Sequence, residues 1–599
     1  MNKTDNSKNL IMAIALSLLV LVGYQYFLAP ERPPQETTPI EQTGQATGTR
    51  PVLGTGETAI VPGPDGAIFD VPGPDGGEVR TRDEALNGSR TRLALAGSRL
   101  AGSINLSDGR FDDITLVDYR ETLEPDSPLI SMFSPTGSPN PYFAEFGWVD
   151  QTGRARATGN VGWQTSARDL APGRPVELSW TDPEGLVFTR IVEIDQDYLF
   201  TITDRVENRS SETVTLAPFG RIFRANKPEI KSRYILHVGP IGVIGDTLEE
   251  VNYKDLVEDG PVAFENATGW LGITDKFWLA ALIPSAETGP FDAKFSHFQS
   301  QGADRYQVDF LGQGTELAPG ASTQSTTRLF VGAKEVSVLT RYMNEYGFER
   351  FDMAIDFGWF FFLTKPLLSV LVYFADMLGN FGLSILLITV IIKLIFFPLA
   401  NKSYASMSKM KALQPKIVEL REQYSNDKQR MQTELMALYK REKANPVSGC
   451  LPIVLQIPVF FALYKVLFVS IEMRHAPFFG WIHDLSAPDP TTIANLFGLI
   501  PWAPPEFLML GAWPLIMGIS MFAQMKLNPA PPDPVQAKVF MLMPFMFMIF
   551  LAGFPAGLVI YWSWNNILSM AQQYVIMRRM GVAIGGGTTK ASTKAPTKT

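Results

Sequence analysis

A lysine stands inside an apolar run that is otherwise suited to crossing a membrane: Lys393 in ITVIIKLIFFPL, residues 388–399. A charge at the bilayer centre costs roughly 2.5–3.5 kcal/mol on insertion scales, so it normally faces protein or a watery cavity. The run therefore predicts a membrane protein with a wet interior. The competing reading is snorkelling. Lys393 lies about seven residues from the end of its run, roughly 10 Å along a helix, and its long stem could carry the ammonium toward the headgroups. Lys465 lies nearer the end of its own run, where snorkelling is the simpler expectation.

Six apolar segments can be read as spans. Residues 1–28 combine Lys3 and Lys8 with an apolar stretch and lack a small-x-small cleavage pattern at Tyr26-Phe27-Leu28-Ala29-Pro30, so an uncleaved anchor is expected. Five more fall within 379–580, at about 381–400, 451–470, 507–527, 539–554 and 555–576. Only the turn signal Gly553-Phe554-Pro555-Ala556-Gly557 separates the last two. Residues 355–378 lead with aromatics but contain Lys365, Pro366 and Asp376, which predicts an amphipathic helix lying in the interface rather than a span.

Charge divides the chain in two. Residues 29–360 hold 48 acids and 29 bases, a net of −19, whereas the remainder holds 12 acids and 23 bases, a net of +11. Ten of those bases lie in 401–444, and the tail 581–599 adds Lys590, Lys594 and Lys598; the loop 471–506 has only Arg474. Basic loops stay cytoplasmic. Both termini and the 401–444 loop are thus expected in the cytoplasm, with the acidic region and the 471–506 loop on the other side of the membrane. Cys450 is the single cysteine, so no intrachain disulfide can staple the acidic region.

That region reads as β. Residues 29–85 are rich in Pro, Gly and Thr, with VPGPDG at 61–66 and again at 71–76, the composition of a flexible linker. Over 86–345 the period becomes two: Val176, Leu178 and Trp180 alternate with polar residues, Thr181-Asp182-Pro183-Glu184-Gly185 turns the chain, and Val187, Thr189 and Ile191 alternate on the return. An antiparallel β-sandwich is expected. Its only histidines, His237 and His297, have no metal-ligand spacing. Within 402–444 the period is helical: Met410, Leu413, Ile417, Leu420 and Tyr424, a break at Ser425-Asn426-Asp427, then Met431, Leu435 and Leu438. This predicts a helical hairpin with a basic exterior, fit to dock a ribosome or a nascent chain.

The polar residues of the apolar segments form a constellation. Thr389 and Lys393 are four apart and share a helix face. Gln456 lies in the next span, Ser520 and Gln524 in the one after. Ser563, Asn565, Asn566, Ser569, Gln572 and Gln573 line much of the last. No carboxylate joins them, which argues against the acid chains of transporters and proton relays. A solute channel or transporter with an outer ligand-sensing domain remains the alternative; it calls for an internal repeat and intramembrane acids, and the sequence has neither.

Several stretches then resemble one family closely: ITVIIKLIFFPL at 388–399, KMKALQPKI at 409–417, DKQRMQTELMALYKREKANPVSGCLPIVLQIPVFFALY at 427–464, APFFGWIHDLSAPDP at 476–490 and FPAGLVIYWSWNN at 554–566. They resemble the YidC insertases, relatives of the mitochondrial Oxa and chloroplast Alb proteins, in the Gram-negative form with a large periplasmic domain. The resemblance implies a multidomain membrane protein: a six-span α-helical core, a periplasmic antiparallel β-supersandwich and a cytoplasmic helical hairpin. It implies a non-enzymatic insertase and chaperone for nascent membrane proteins, acting alone or with the Sec translocon, touching lipid and transiently the ribosome, with no cofactor, no metal and no specific nucleic acid binding. It also implies a substrate groove of Lys393, Thr389, Gln456, Ser520, Gln524, Tyr561, Trp562, Ser563 and Asn566. Many relatives carry arginine at the position of Lys393; lysine keeps the charge and loses the planar fork of donors. A further departure is an extra stretch at 493–506.

Overall fold

The computed structural model describes residues 60–62, 68–70, 80–88, 91–228, 236–300, 303–358, 360–424, 427–442, 451–500, 502, 504, 509–527 and 534–579. The anchor expected at 1–28, the tail at 581–599, the VPGPDG turns and Cys450 lie outside these residues. Within the linker, Ile60–Pro62 and Ile68–Asp70 pair as a short antiparallel ribbon.

Two sheets face each other across one core. The smaller has eight strands in the order Val176–Thr181, Leu186–Ile194, Leu199–Asn208, Ser322–Ala333, Trp278–Pro284, Gly269–Thr274, Gly239–Ile244 and Thr247–Glu250. The larger has twelve, with Phe291–Ser300, Ala303–Leu311, Val214–Ala225 and Tyr142–Asp150 side by side. Pairing is antiparallel except where Arg92–Ala96 meets Asp169–Leu170. The hairpin at 176–194 forms where the alternation placed it, and Asp182 builds its turn by accepting from Glu184 N at 2.6 Å. Its return strand, however, buries Leu186, Phe188, Arg190, Val192 and Ile194, the opposite face from Val187, Thr189 and Ile191. A buried arginine disguised the phase. Arg190 donates from Nε to Asp204 at 2.6 Å and from Nη2 to the Phe146 carbonyl at 2.8 Å, so its charge is compensated inside the sandwich.

The outer face of the larger sheet carries a second buried ionic row. Lys294 stands opposite Asp309, Asp309 opposite Arg221, and Arg221 opposite Glu145. Glu145 accepts from Arg221 Nε at 2.7 Å and from Arg110 Nε at 3.1 Å. Burial pushes the Glu145 carboxyl up, but the charges of Arg110 and Arg221 outweigh it and hold the group below the ordinary carboxylate range.

Among the described residues, the helices of eleven residues or more are α1 (Val336–Tyr346), α2 (Phe361–Leu378), α3 (Phe381–Ile395), α4 (Phe397–Gln423), α5 (Lys428–Arg441), α6 (Leu451–Val469), α7 (Ala512–Leu527), α8 (Pro534–Leu551) and α9 (Ala556–Arg579). The span read as 381–400 is in fact broken. α3 ends at Ile395 and meets the start of α4 at 61°, because Pro398 at the beginning of α4 lacks the N–H that would continue the first helix. By length and composition, α2 alone among the described helices passes as a membrane span, or the bent pair with it. Lys365 does not disqualify α2, since it lies in the second turn and pairs with Asp352 at 2.7 Å. α4 and α5 pack through Leu413, Ile417 and Leu438, and Asp427 caps α5 by accepting from Arg430 N at 3.0 Å.

The end of α6 is fastened to the β-sandwich. Lys465 does not snorkel: its Nζ lies 2.6 Å from Asp356, just after the β domain. Glu472 accepts from Val336 N at 3.2 Å at the start of α1, and Arg474 Nη2 donates to the carbonyls of Arg120 and Glu121 at 2.5 and 3.1 Å. The ammonium of Lys276 sits 4.1 Å from the ring centre of Phe468.

Candidate hydrophilic groove

Four helices and the α3–α4 bend converge on a cavity of about 90 Å³. α3 supplies Thr389, Ile392 and Lys393; the bend and α4 add Phe396, Leu399 and Ala400. α6 contributes Gln456 and Val459, α7 contributes Gln524, and α9 contributes Tyr561, Asn565, Ser569 and Gln572. The last four recur at a spacing that keeps them on one face of α9. The volume has room for several waters, and the polar lining offers them partners.

Lys393 is the cation of this cavity. It occupies the last turn of α3, where the unsatisfied carbonyls favour a positive charge. It is half-buried, and its Nζ donates to Ser569 Oγ at 2.7 Å. Ser569 in turn donates to the Asn565 carbonyl at 2.7 Å, which fixes its oxygen toward the lysine. Among the described residues, the partner of Lys393 is thus a hydroxyl and not a carboxylate. Thr389 lines the wall and donates back to Ile385 O at 2.6 Å, so its hydroxyl proton is spent within α3. The Tyr561 hydroxyl faces Gln456 across the cavity.

The groove residues expected from sequence divide in two. Thr389, Lys393, Gln456, Gln524 and Tyr561 line the cavity. Ser520, Ser563 and Asn566 do not: all three are buried, Asn566 Nδ2 donating to Ser520 Oγ at 3.1 Å between α9 and α7, and Ser563 donating to Val559 O at 2.8 Å within α9. Trp562 also points elsewhere, packing edge-on to Phe460 at 4.6 Å and near Phe547 at 5.6 Å. In their place the structure adds Asn565, Ser569 and Gln572. These stood out as polar in a final apolar segment, and counting fours from Tyr561 would have chosen Asn565 and Ser569 over Ser563 and Asn566. Among the described residues Gln572 Nε2 is buried without a partner, an unsatisfied donor on the cavity wall. Among the described residues, no group of three or more His, Cys, Asp or Glu is placed to hold a metal ion.

Residues 373–583 match the family described as 60Kd inner membrane protein, and residues 92–370 match the YidC periplasmic domain. The membrane protein insertase YidC of Methylobacterium radiotolerans is 48% identical over 99% of this chain and 100% of its own length. That of Methylorubrum extorquens is 50% identical over 97% of this chain and 96% of its own. This chain belongs to the YidC family of membrane protein insertases. The Rhizobium meliloti member is 48% identical over 97% of both chains. A solved structure of an active YidC insertase overlaps 81% of this chain and 93% of that one at 17% identity and a TM-score of 0.35, a likeness too loose to add to the sequence identity. YidC relatives thus match the β domain and the helical part as one continuous protein, and the family resides in the inner membrane.

Proposed function

We propose that the cavity around Lys393 is the polar half of an insertion path for nascent membrane proteins. The observation that carries this reading is a half-buried ammonium held by a hydroxyl in a wet pocket between α3, α6, α7 and α9. A substrate's polar segment must shed water to enter the bilayer, and each unsatisfied polar group costs several kcal/mol there. A hydrated concavity part-way through the membrane lowers that barrier. The cation attracts acidic residues of the segment being exported, more strongly than it would in water. No bond is made or broken, and no cofactor takes part. The apolar flanks of α7 and α8, rich in methionine, suit varied hydrophobic partners.

The wider arrangement belongs to the same proposal. Six spans place both termini and the α4–α5 hairpin in the cytoplasm, and the β domain in the periplasm, in accord with the lysine and arginine count. The basic hairpin is the surface for transient ribosome contact, and the Sec translocon is a partner for larger substrates. In this same six-span arrangement α2 lies in the periplasmic interface rather than crossing the bilayer. The test is reconstitution of the full chain alone into liposomes with a small single-span substrate carrying an acidic exported tail. Protease-protected insertion is expected; transport of a solute without insertion would overturn the reading.

A further inference from the structure

The extra stretch between α6 and α7 is not used by the groove. Residues 491–505 carry no ionisable side chain. Their base is pinned to the first turn of α7: Ile493 N donates to Leu510 O at 3.0 Å, Ala512 N to Thr491 Oγ1 at 2.9 Å, and Trp513 N to Asp489 Oδ2 at 2.8 Å. Beyond that base, Leu496 and Phe497 both adopt left-handed backbone, with φ of 51° and 58°. Such a conformation costs a non-glycine residue roughly 1–3 kcal/mol, so two in succession persist only where something repays the strain. Its result here is exposure. Leu496, Phe497, Leu499, Ile500 and Trp502 are all exposed, Leu499 by 83%. An uncharged apolar patch of this kind would promote aggregation if it faced water.

We propose that this loop is an interfacial wedge, seated at the headgroup–acyl boundary of the leaflet at the Ala512 end of α7. The occupant is phospholipid for three reasons. The loop's base is pinned to the start of α7, and α7 itself exposes the apolar Ile516 and Ile519. The patch includes the exposed Trp502, and Trp513 stands in the first turn of α7, the residue type of which aromatic belts are built. It lacks the charged groups that give protein interfaces their register, and Asn495 is its one amide side chain. The inference rests on α7 spanning the bilayer, as in the reading above.

The test uses the full chain with Cys450→Ser, reconstituted in phosphatidylethanolamine–phosphatidylglycerol liposomes. Single cysteines at Leu499, Ile519 and Ser211 carry a spin label; Leu499 and Ser211 are exposed, so the label does not disturb packing. Power saturation compares collisions with oxygen, which enters lipid, and with a polar nickel chelate, which does not. Leu499 should resemble Ile519, with nickel access roughly tenfold below Ser211, equivalent to about 1.4 kcal/mol of exclusion. Nickel access at Leu499 equal to Ser211, with Ile519 still in lipid, overturns the wedge and leaves the groove untouched. Nickel access at both removes the α7 span and the wedge together. Protection at Leu499 that disappears when protein is diluted in lipid assigns the patch to a second copy of the chain, and the wedge also fails.

Discussion

The β domain and the groove bury charge in opposite ways. In the β domain, Glu145 is 1% exposed and Arg221 2%, and each has its counter-charge in hydrogen-bond contact. In the groove, Lys393 has Ser569 and space for water. Desolvating an ion costs several kcal/mol in either place. For Glu145 and its arginines the β domain meets that cost with permanent partners, which makes that part of the row structural and silent. In the function proposed above, the groove leaves its cation open to a visiting acid, so the same residue chemistry would give rigidity in the β domain and a recognition site in the groove.

The largest test of this difference is removal of an internal partner. Glu145→Ala leaves Arg110 and Arg221 buried without their shared carboxylate. Breaking a buried pair costs about 3–5 kcal/mol, so chemical denaturation of the β domain, produced as residues 80–357, should show a loss of that order. A loss below about 1 kcal/mol, the value of an exposed pair, would mean that water reaches the row and that the two regions are not different in kind.

Lys393 should behave in the reverse manner. Lys393→Leu removes a charge that no partner needs, so abundance and thermal stability of the full chain should be unchanged. Insertion of an acidic-tailed substrate in proteoliposomes should fall at least about tenfold, equivalent to ~1.4 kcal/mol, and further for Lys393→Glu, while Lys393→Arg inserts normally. The defect should grow with the number of acids in the exported tail. Wild-type insertion by Lys393→Leu across that series would leave snorkelling as the explanation of the charge.

Much of this was legible in the sequence. Short alternating runs gave the hairpins, because a strand half in water must alternate; the heptad-like spacing gave the α4–α5 pair for the same reason. Two kinds of signal misled. Arg190 reads as a solvent residue, so the strand's phase inverted; only the carbonyls and Asp204 that surround it in three dimensions make burial tolerable. In the last helix, Ser563 and Asn566 are as polar as Asn565 and Ser569, and which pair faces the cavity depends on helix rotation. That rotation is set by packing of α9 against α7 and α3 and is invisible in composition. Lys465 was misjudged because its partner, Asp356, lies 109 positions away.

A smaller effect should appear in the pH dependence of the β domain. Asp309 is fully buried, and Gln307 donates to its Oδ1 at 2.8 Å while Oδ2 has no partner. Burial pushes its pKa up to about 7, against the pull of Gln307, Lys294 and Arg221. The folded domain therefore holds a proton between about pH 4 and 7 that the unfolded chain, near 3.8, releases. Stability from this group falls as pH rises through that window and the penalty is complete above 7. Asp309→Asn should stabilise the domain by about 1–2 kcal/mol at pH 8 and by nothing at pH 4. A gain that is the same at both pH values would show that packing, not ionisation, is responsible.

The smallest expected effect is the most discriminating. Ser569→Ala deletes the hydroxyl that Lys393 holds, the formal counterpart of Glu145→Ala. A hydrogen bond to a charged group is worth about 1.5–3 kcal/mol when its loss leaves the charge dry. In a cavity with room for water, a solvent molecule takes the place of the lost oxygen, and a bridging water is nearly as good enthalpically. Ser569→Ala should thus leave thermal stability unchanged and lower insertion by no more than about threefold, below ~1 kcal/mol. The small defect should be the same whether the substrate tail carries one acid or several, because the charge itself remains. In the Lys393→Leu background, Ser569→Ala should add nothing further, since the bond it removes is already gone. A loss as large as that of Lys393→Leu, or one that scales with the acids in the tail, would mean that the groove is dry around the ammonium and holds it by a fixed partner, as the β domain holds its arginines.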